Sequence, residues 1–127
     1  MNFPEGLLYH PEHTWARIEG GVATVGITDH AQRELGEIVY VELPKRGRAL
    51  AFGEVFGYIE SSKSVSDLYC PVAGEVIETN SGLDDKPEAV NDDPYGEGWM
   101  IRIRPAAGSD TSRLIGAAEY AKLVEPV

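Results

Sequence analysis

The sequence predicts a single domain, mainly β, with short helices. Two observations carry that expectation. Short runs rich in β-branched and aromatic residues alternate apolar with polar positions, and Gly, Pro, Asn or Ser bound each run. In addition, Gly-Glu stands ahead of two β-formers three times, at Gly36-Glu37-Ile38-Val39, Gly53-Glu54-Val55-Phe56 and Gly74-Glu75-Val76-Ile77. The spacings are unequal, so this is a recurring way to open a strand and not a solenoid period. At 127 residues the whole chain, 1–127, forms one domain with room for a modest core and no need of staples.

In chain order, Leu7-Leu8-Tyr9 opens an edge strand that His10-Pro11 interrupts. Residues 14–19 and 22–27 alternate around Gly20-Gly21, the signature of a tight hairpin. Thr28 or Asp29 caps a short helix that Gly36 ends in a left-handed conformation. A strand over 37–43 follows, closed by Pro44 and the basic turn Lys45-Arg46-Gly47-Arg48, a solvated turn or a docking patch. Residues 54–59, 65–69 and 74–79 are further strands, and Asn80-Ser81-Gly82 is a turn. Residues 83–91 hold a short helix broken at Pro87, and 91–98 are loop. The last strand spans 99–104. A final helix, capped by Asp110 or Thr111, shows an apolar stripe of Leu114, Ala117, Ala118, Ala121 and Val124, which a monomer buries as core.

The charge balance narrows the function. Eleven Lys and Arg against twenty-one Asp and Glu give a net charge of −10, which excludes a general nucleic-acid binder because phosphate neutralisation needs a basic face. It suits a carrier that meets basic surfaces on partner proteins. The single cysteine, Cys70, makes no internal disulfide and reads as a small buried strand residue in a reducing compartment. His10 and His13 lack a third ligand, so no metal site is expected. The first residues carry neither a signal nor a transit pattern, and no stretch has the length of a transmembrane helix. The expected location is the bacterial cytoplasm, or the mitochondrial matrix for a processed eukaryotic form.

The stretch that organises the chain is Gly53–Val76. Two β-rich runs flank a polar turn in which Ser61, Ser62 and Ser64 bracket Lys63. A loop tip on a rigid scaffold is where function tends to sit. A Schiff-base or general-base lysine needs desolvation or a neighbouring cation, and this turn offers neither. A lysine presented to another protein for modification fits better.

Residues 60–69 followed by 71–76 resemble the lipoyl-attachment hairpin of the glycine cleavage system H-protein family. Biotinyl domains place methionine on both sides of their lysine, and 2-oxoacid dehydrogenase lipoyl domains carry Asp-Lys-Ala; Ser62-Lys63-Ser64 matches neither. Residues 22–32, 41–44 and 91–99 look like H-protein signature segments in the same order. The resemblance implies a lipoyl-type barrel-sandwich hybrid of two antiparallel sheets with short flanking helices and a C-terminal helix. It implies that Lys63 carries covalent lipoic acid, and that Glu60 and Gly74 are shown to the lipoylating enzyme. The implied partners are glycine decarboxylase (P-protein), aminomethyltransferase (T-protein) and dihydrolipoyl dehydrogenase (L-protein). The chain itself would be a carrier and not an enzyme. A lipoyl relay, handing lipoate to other carrier domains, would keep the same hairpin.

One departure stands out. H-proteins commonly read His-Glu-Trp where this chain has His13-Thr14-Trp15. The resemblance implies that the missing acid holds the amine of the loaded arm, a role Thr14 cannot fill. Residues two apart on a strand share a side, so Glu12, with Asp67 near the root of the arm, is expected to replace the lost carboxylate.

Overall fold

The computed structural model describes residues 2–108 and 111–125. Strands Leu8–Tyr9 (β1), Thr14–Glu19 (β2) and Val22–Ile27 (β3) come first. Gly20 and Gly21 join the last two with φ of 56° and 75°, the positive pair that a two-residue hairpin of the right twist requires. Helix Asp29–Leu35 (α1) begins where the Thr28 hydroxyl accepts the Ala31 N–H at 3.2 Å. It ends at Gly36, whose φ of 82° bears out the glycine stop, although its ψ of −153° is extended and not left-handed helical.

Next come Ile38–Glu42 (β4), Ala49–Leu50 (β5), Val55–Ser61 (β6), Val65–Tyr69 (β7) and Gly74–Thr79 (β8). Two one-turn helices, Gly82–Asp85 (α2) and Ala89–Asp92 (α3), stand on either side of Pro87, then Ile101–Pro105 (β9) and Ala117–Val124 (α4) close the fold. β5 went unforeseen, since two residues carry no periodicity; its partner β8 defines it.

The strands form two antiparallel sheets, β1-β2-β3-β9-β8-β5 and β4-β6-β7, as the two-sheet expectation had it, and they are not closed into a barrel. The main core lies between them. Ala16, Val25, Val76, Ile101 and Ile103 from the larger sheet meet Val41, Phe56, Ile59 and Leu68 from the smaller. Cys70 is buried among them, its thiol on the Val72 carbonyl, and burial pushes that thiol up to about 11. A second, aromatic cluster gathers Leu7, Tyr9, Trp15, Tyr95 and Tyr120. Gly26 lets Trp15 lie flat on the sheet, because a Cβ there would sit 2.8 Å from the indole.

The C-terminal helix corrects the sequence reading. It starts at Ala117, with Gly116 before it and no side-chain cap; Thr111 lies outside it, and Asp110 lies outside the described residues. The Ile115 backbone is taken up by Tyr9, through N–H···O bonds of 2.7 and 2.9 Å, which holds this segment extended. Leu114 does enter the core, but from outside the helix. Ala118 is exposed, and the one fully buried residue of α4 is Tyr120, a position the apolar stripe passed over. Its ring stacks on Tyr9 at 4.8 Å and meets Phe3 edge-on at 5.2 Å.

Candidate functional site

The β6–β7 hairpin carries Lys63 at its tip, between Ser62 and Ser64. Ser61 builds that tip. Its N–H bonds the Ser64 carbonyl at 2.8 Å, and its hydroxyl oxygen accepts the N–H of Lys63 at 3.2 Å and of Ser64 at 3.0 Å. A serine therefore replaces the backbone partners the three-residue turn lacks. The Ser62 N–H reaches the Glu37 carbonyl at 3.0 Å, tying the tip to the segment before β4. Asn91 braces the same corner: it accepts the Ile38 N–H at 2.9 Å and donates to the Gly36 carbonyl at 2.8 Å.

The exposed Lys63 side chain runs along Gly36. A Cβ on that glycine would lie 3.4 Å from the lysine Cε. Leu35, the residue before it, lines a cavity of about 410 Å³. Lys63 thus passes the end of α1 that borders that cavity, without lining it. The floor is apolar, made by Ile27, Leu35, Ile59 and Leu68. The rim carries three carboxylates, Glu12, Glu34 and Asp67, and two imidazoles, His13 and His30.

Glu12, Thr14 and Asp67 all border this one cavity, as the sequence reading grouped them. The reason given for Glu12 does not hold. β2 begins at Thr14, and Glu12 sits in the turn before it, its N–H given to His10 Nδ1 at 3.0 Å. Pro11 and the positive φ of His13, 75°, make that turn, so strand alternation never applied. Thr14 is buried and donates its hydroxyl to the Tyr69 carbonyl at 2.8 Å, joining the two sheets. Sequence reasoning missed Glu34 and His30, which lie four apart on α1 and so share one face of it; that spacing was legible, but nothing told which way the face turned.

His13 is held by a chain of side chains. Its Nδ1 is 2.7 Å from the Tyr120 hydroxyl, which is 2.8 Å from the Thr28 hydroxyl. Burial, then the His30 ring 4.7 Å away, keeps His13 below the ordinary histidine range. Burial likewise lowers His10. No group of three or more His, Cys, Asp and Glu is placed to hold a metal ion among the described residues.

The two positions assigned to recognition separate. Glu60 is on β6, opposite Val65, in the last pair below the tip. Gly74 lies in the other sheet, between Leu50 and Pro105. A Cβ there would overlap the Arg104 carbonyl oxygen and sit 2.6 Å from the Ile103 side chain. Packing alone therefore demands glycine at this position.

Two sheets that lock a serine-fastened hairpin, with one lysine at its tip beside an acid-rimmed cavity, define a small protein built to present that lysine. The family model "Glycine cleavage H-protein" matches residues 7–127. The chain belongs to the glycine cleavage H-protein family. It is 57% identical over 122 residues to the glycine cleavage system H protein of Rubrobacter xylanophilus, covering 96% of this chain and 94% of that one. The H protein of Bacteroides fragilis is 54% identical over 124 residues, covering 98% of both. The mitochondrial H protein of Pisum sativum is 51% identical, over 98% of this chain and 75% of that one. A crystal structure of the H protein from Mycobacterium marinum superposes with a TM-score of 0.86 at 38% identity, over 93% of this chain and 95% of that one. Among the described residues no helix is long and apolar enough to cross a membrane.

Proposed function

We propose that this chain is the lipoyl carrier of a glycine cleavage system, with lipoic acid joined through an amide to Lys63. The observation that carries the reading is the lysine itself: exposed, on a tip braced by Ser61 and Asn91, against the end of α1 that borders the cavity, in a chain of this family. Bound lipoate supplies a dithiolane that accepts an aminomethyl group and is later reoxidised. Its partners are then glycine decarboxylase, aminomethyltransferase, dihydrolipoyl dehydrogenase and a lipoylating enzyme, and the chain performs no catalysis of its own.

The residues fit such an arm. An apolar floor suits a hydrocarbon chain, and Glu12, Glu34 and Asp67 around it suit a cationic amine at the end of that chain. Nearby carboxylates favour the ammonium form, which has no lone pair with which to expel a neighbouring sulfur. The acid role absent at Thr14 is spread over these three, and Glu34 joins the pair that sequence suggested. Burial disfavours the charged form of His13, so this ring brings no competing imidazolium to the carboxylates at neutral pH. We assign the contact with the lipoylating enzyme to Glu60, which is paired with Val65 just below the tip.

Intact-protein mass after expression with lipoate tests the reading. The chain should gain one lipoyl group, and Lys63→Arg should gain none while keeping its fold, since the side chain is exposed. A lipoylated Lys63→Arg protein, or a parent that stays bare under a competent ligase, overturns it.

A further inference from the structure

The small sheet has an outer face built as two cross-strand rows. Tyr40, Glu60 and Val65 stand opposite one another in the first, and Glu42, Tyr58 and Asp67 in the second. Opposed residues in neighbouring strands share a side, and the core residues Val41, Ile59 and Leu68 point the other way. Acids thus alternate with apolar and aromatic groups over six positions. The Tyr40 and Tyr58 rings are 5.9 Å apart, and the Tyr40 hydroxyl donates to the Glu42 carboxylate.

This face differs from the rest of the surface in two independent ways. Of the six exposed large hydrophobic residues among those described, Tyr40 and Val65 stand in these rows, and Val39 and Val55 lie at irregularities of the same sheet. Val65, next to the tip, is 65% exposed. Charge differs as well. On the larger sheet Glu19, Glu75 and Glu78 are each paired with an arginine. Glu42, Glu60 and Asp67 make no ion pair among the described residues. A groove of about 470 Å³ runs from the second row toward Lys45 and Arg48, so the face turns from acidic to basic away from the tip.

We propose that this face is the docking surface for the enzyme that modifies Lys63, and that the enzyme meets it with an apolar centre ringed by Lys and Arg. The proposal rests on the reading of Lys63 as the lipoylated residue. Exposed apolar groups among unpaired acids match a partner of opposite charge and similar apolar character. The position selects which partner. An enzyme acting on the lysine amine must cover the surface flush with the tip, where Glu60 and Val65 form the last pair. Enzymes that act at the far end of an attached arm need not. Tyr40 and Tyr58 are the anchors, because aromatic side chains at the centre of an interface carry much of its binding energy.

The test is steady-state lipoylation of the unmodified full chain by purified bacterial lipoate–protein ligase with lipoate and ATP. The Tyr40→Ser/Tyr58→Ser double variant should raise KM for the carrier about tenfold or more with kcat within about twofold. Ile18→Ser, an exposed residue of the other sheet, should change neither, and thermal midpoints should confirm that both variants fold. For the parent, KM should climb with added NaCl. An unchanged KM in the double variant overturns the proposal, as does a fall in kcat alone, which would mean altered tip geometry. Normal lipoylation with impaired glycine–carbon dioxide exchange by glycine decarboxylase would give the face to a shuttle partner and also overturn it. If the parent gains no lipoyl mass, the reading of Lys63 fails first, a result distinct from any change in KM.

Discussion

His13 is the only non-glycine residue with positive φ among those described, at 75°, and it stands in the cavity wall. Such strain persists where surrounding bonds over-determine it; here the His13 N–H donates to the His10 carbonyl, and the His13 carbonyl accepts the Thr28 N–H. The neighbouring acids are simpler. Glu12 and Glu34 are exposed, so each contributes modestly to holding an amine. The aminomethyl-loaded protein should release ammonia about two- to fivefold faster at low salt as Glu12→Gln/Glu34→Gln than as the parent. Asp67→Asn should add to that; timed ammonia release without the transferase is the measurement, and equal rates would remove the acids from the role. Glu60 and Gly74 part company in a second experiment. Gly74→Ala should lose about 1–3 kcal/mol of stability in urea unfolding, because its Cβ has no space. Glu60→Ala should unfold like the parent yet be lipoylated more slowly.

Among elements, α4 has a role its exposed surface hides. Eight residues of helix are marginal alone. Tyr120 anchors them by stacking on Tyr9 and by bridging His13 and Thr28 through its hydroxyl. Tyr120→Phe keeps the ring and removes the bridge, leaving a buried threonine and a half-buried histidine without their shared partner. It should cost about 1–3 kcal/mol in urea unfolding. Leu123→Ser, on the exposed side of the same helix, should stay within about 0.5 kcal/mol of the parent. Equal effects would mean that the hydroxyl bridge contributes nothing.

For the whole molecule, pH acts through groups whose folded environment departs from water. His10 and His13 both have lowered folded pKa values, caused first by burial. The unfolded chain therefore binds protons that the folded one refuses, and their contribution is complete above the ordinary histidine pKa of about 6.5 and lost as pH falls below it. Burial would raise Asp29, but the Asn2 N–H, Gln32 and Arg33 outweigh it and hold it low, so its contribution is lost only in stronger acid. Urea-derived stability should fall between pH 7 and 5 by up to about 1.4 kcal/mol per pH unit for each histidine. His13→Asn, which tolerates positive φ, should flatten that slope. A slope unchanged in the variant would exclude His13 from it.

The sequence by itself determined whatever depends on neighbours along the chain. Alternation gave the longer strands, Gly20-Gly21 the tight hairpin, Gly36 the end of α1, and Ser61 to Ser64 an exposed tip with one lysine. The ordered signature segments gave the family. Tertiary structure decided what depends on distant partners. The backbone of Ile115 is held by Tyr9, more than a hundred residues earlier in the chain, so local periodicity placed the helix start too early. Gly74 is required by the Arg104 carbonyl on β9. Glu12 and Glu34 reach one cavity because a turn, α1 and β7 border it together, a meeting that none of these segments encodes alone. Local propensities act over a few residues, whereas packing joins surfaces whose fit exists only once both sheets have closed on the core.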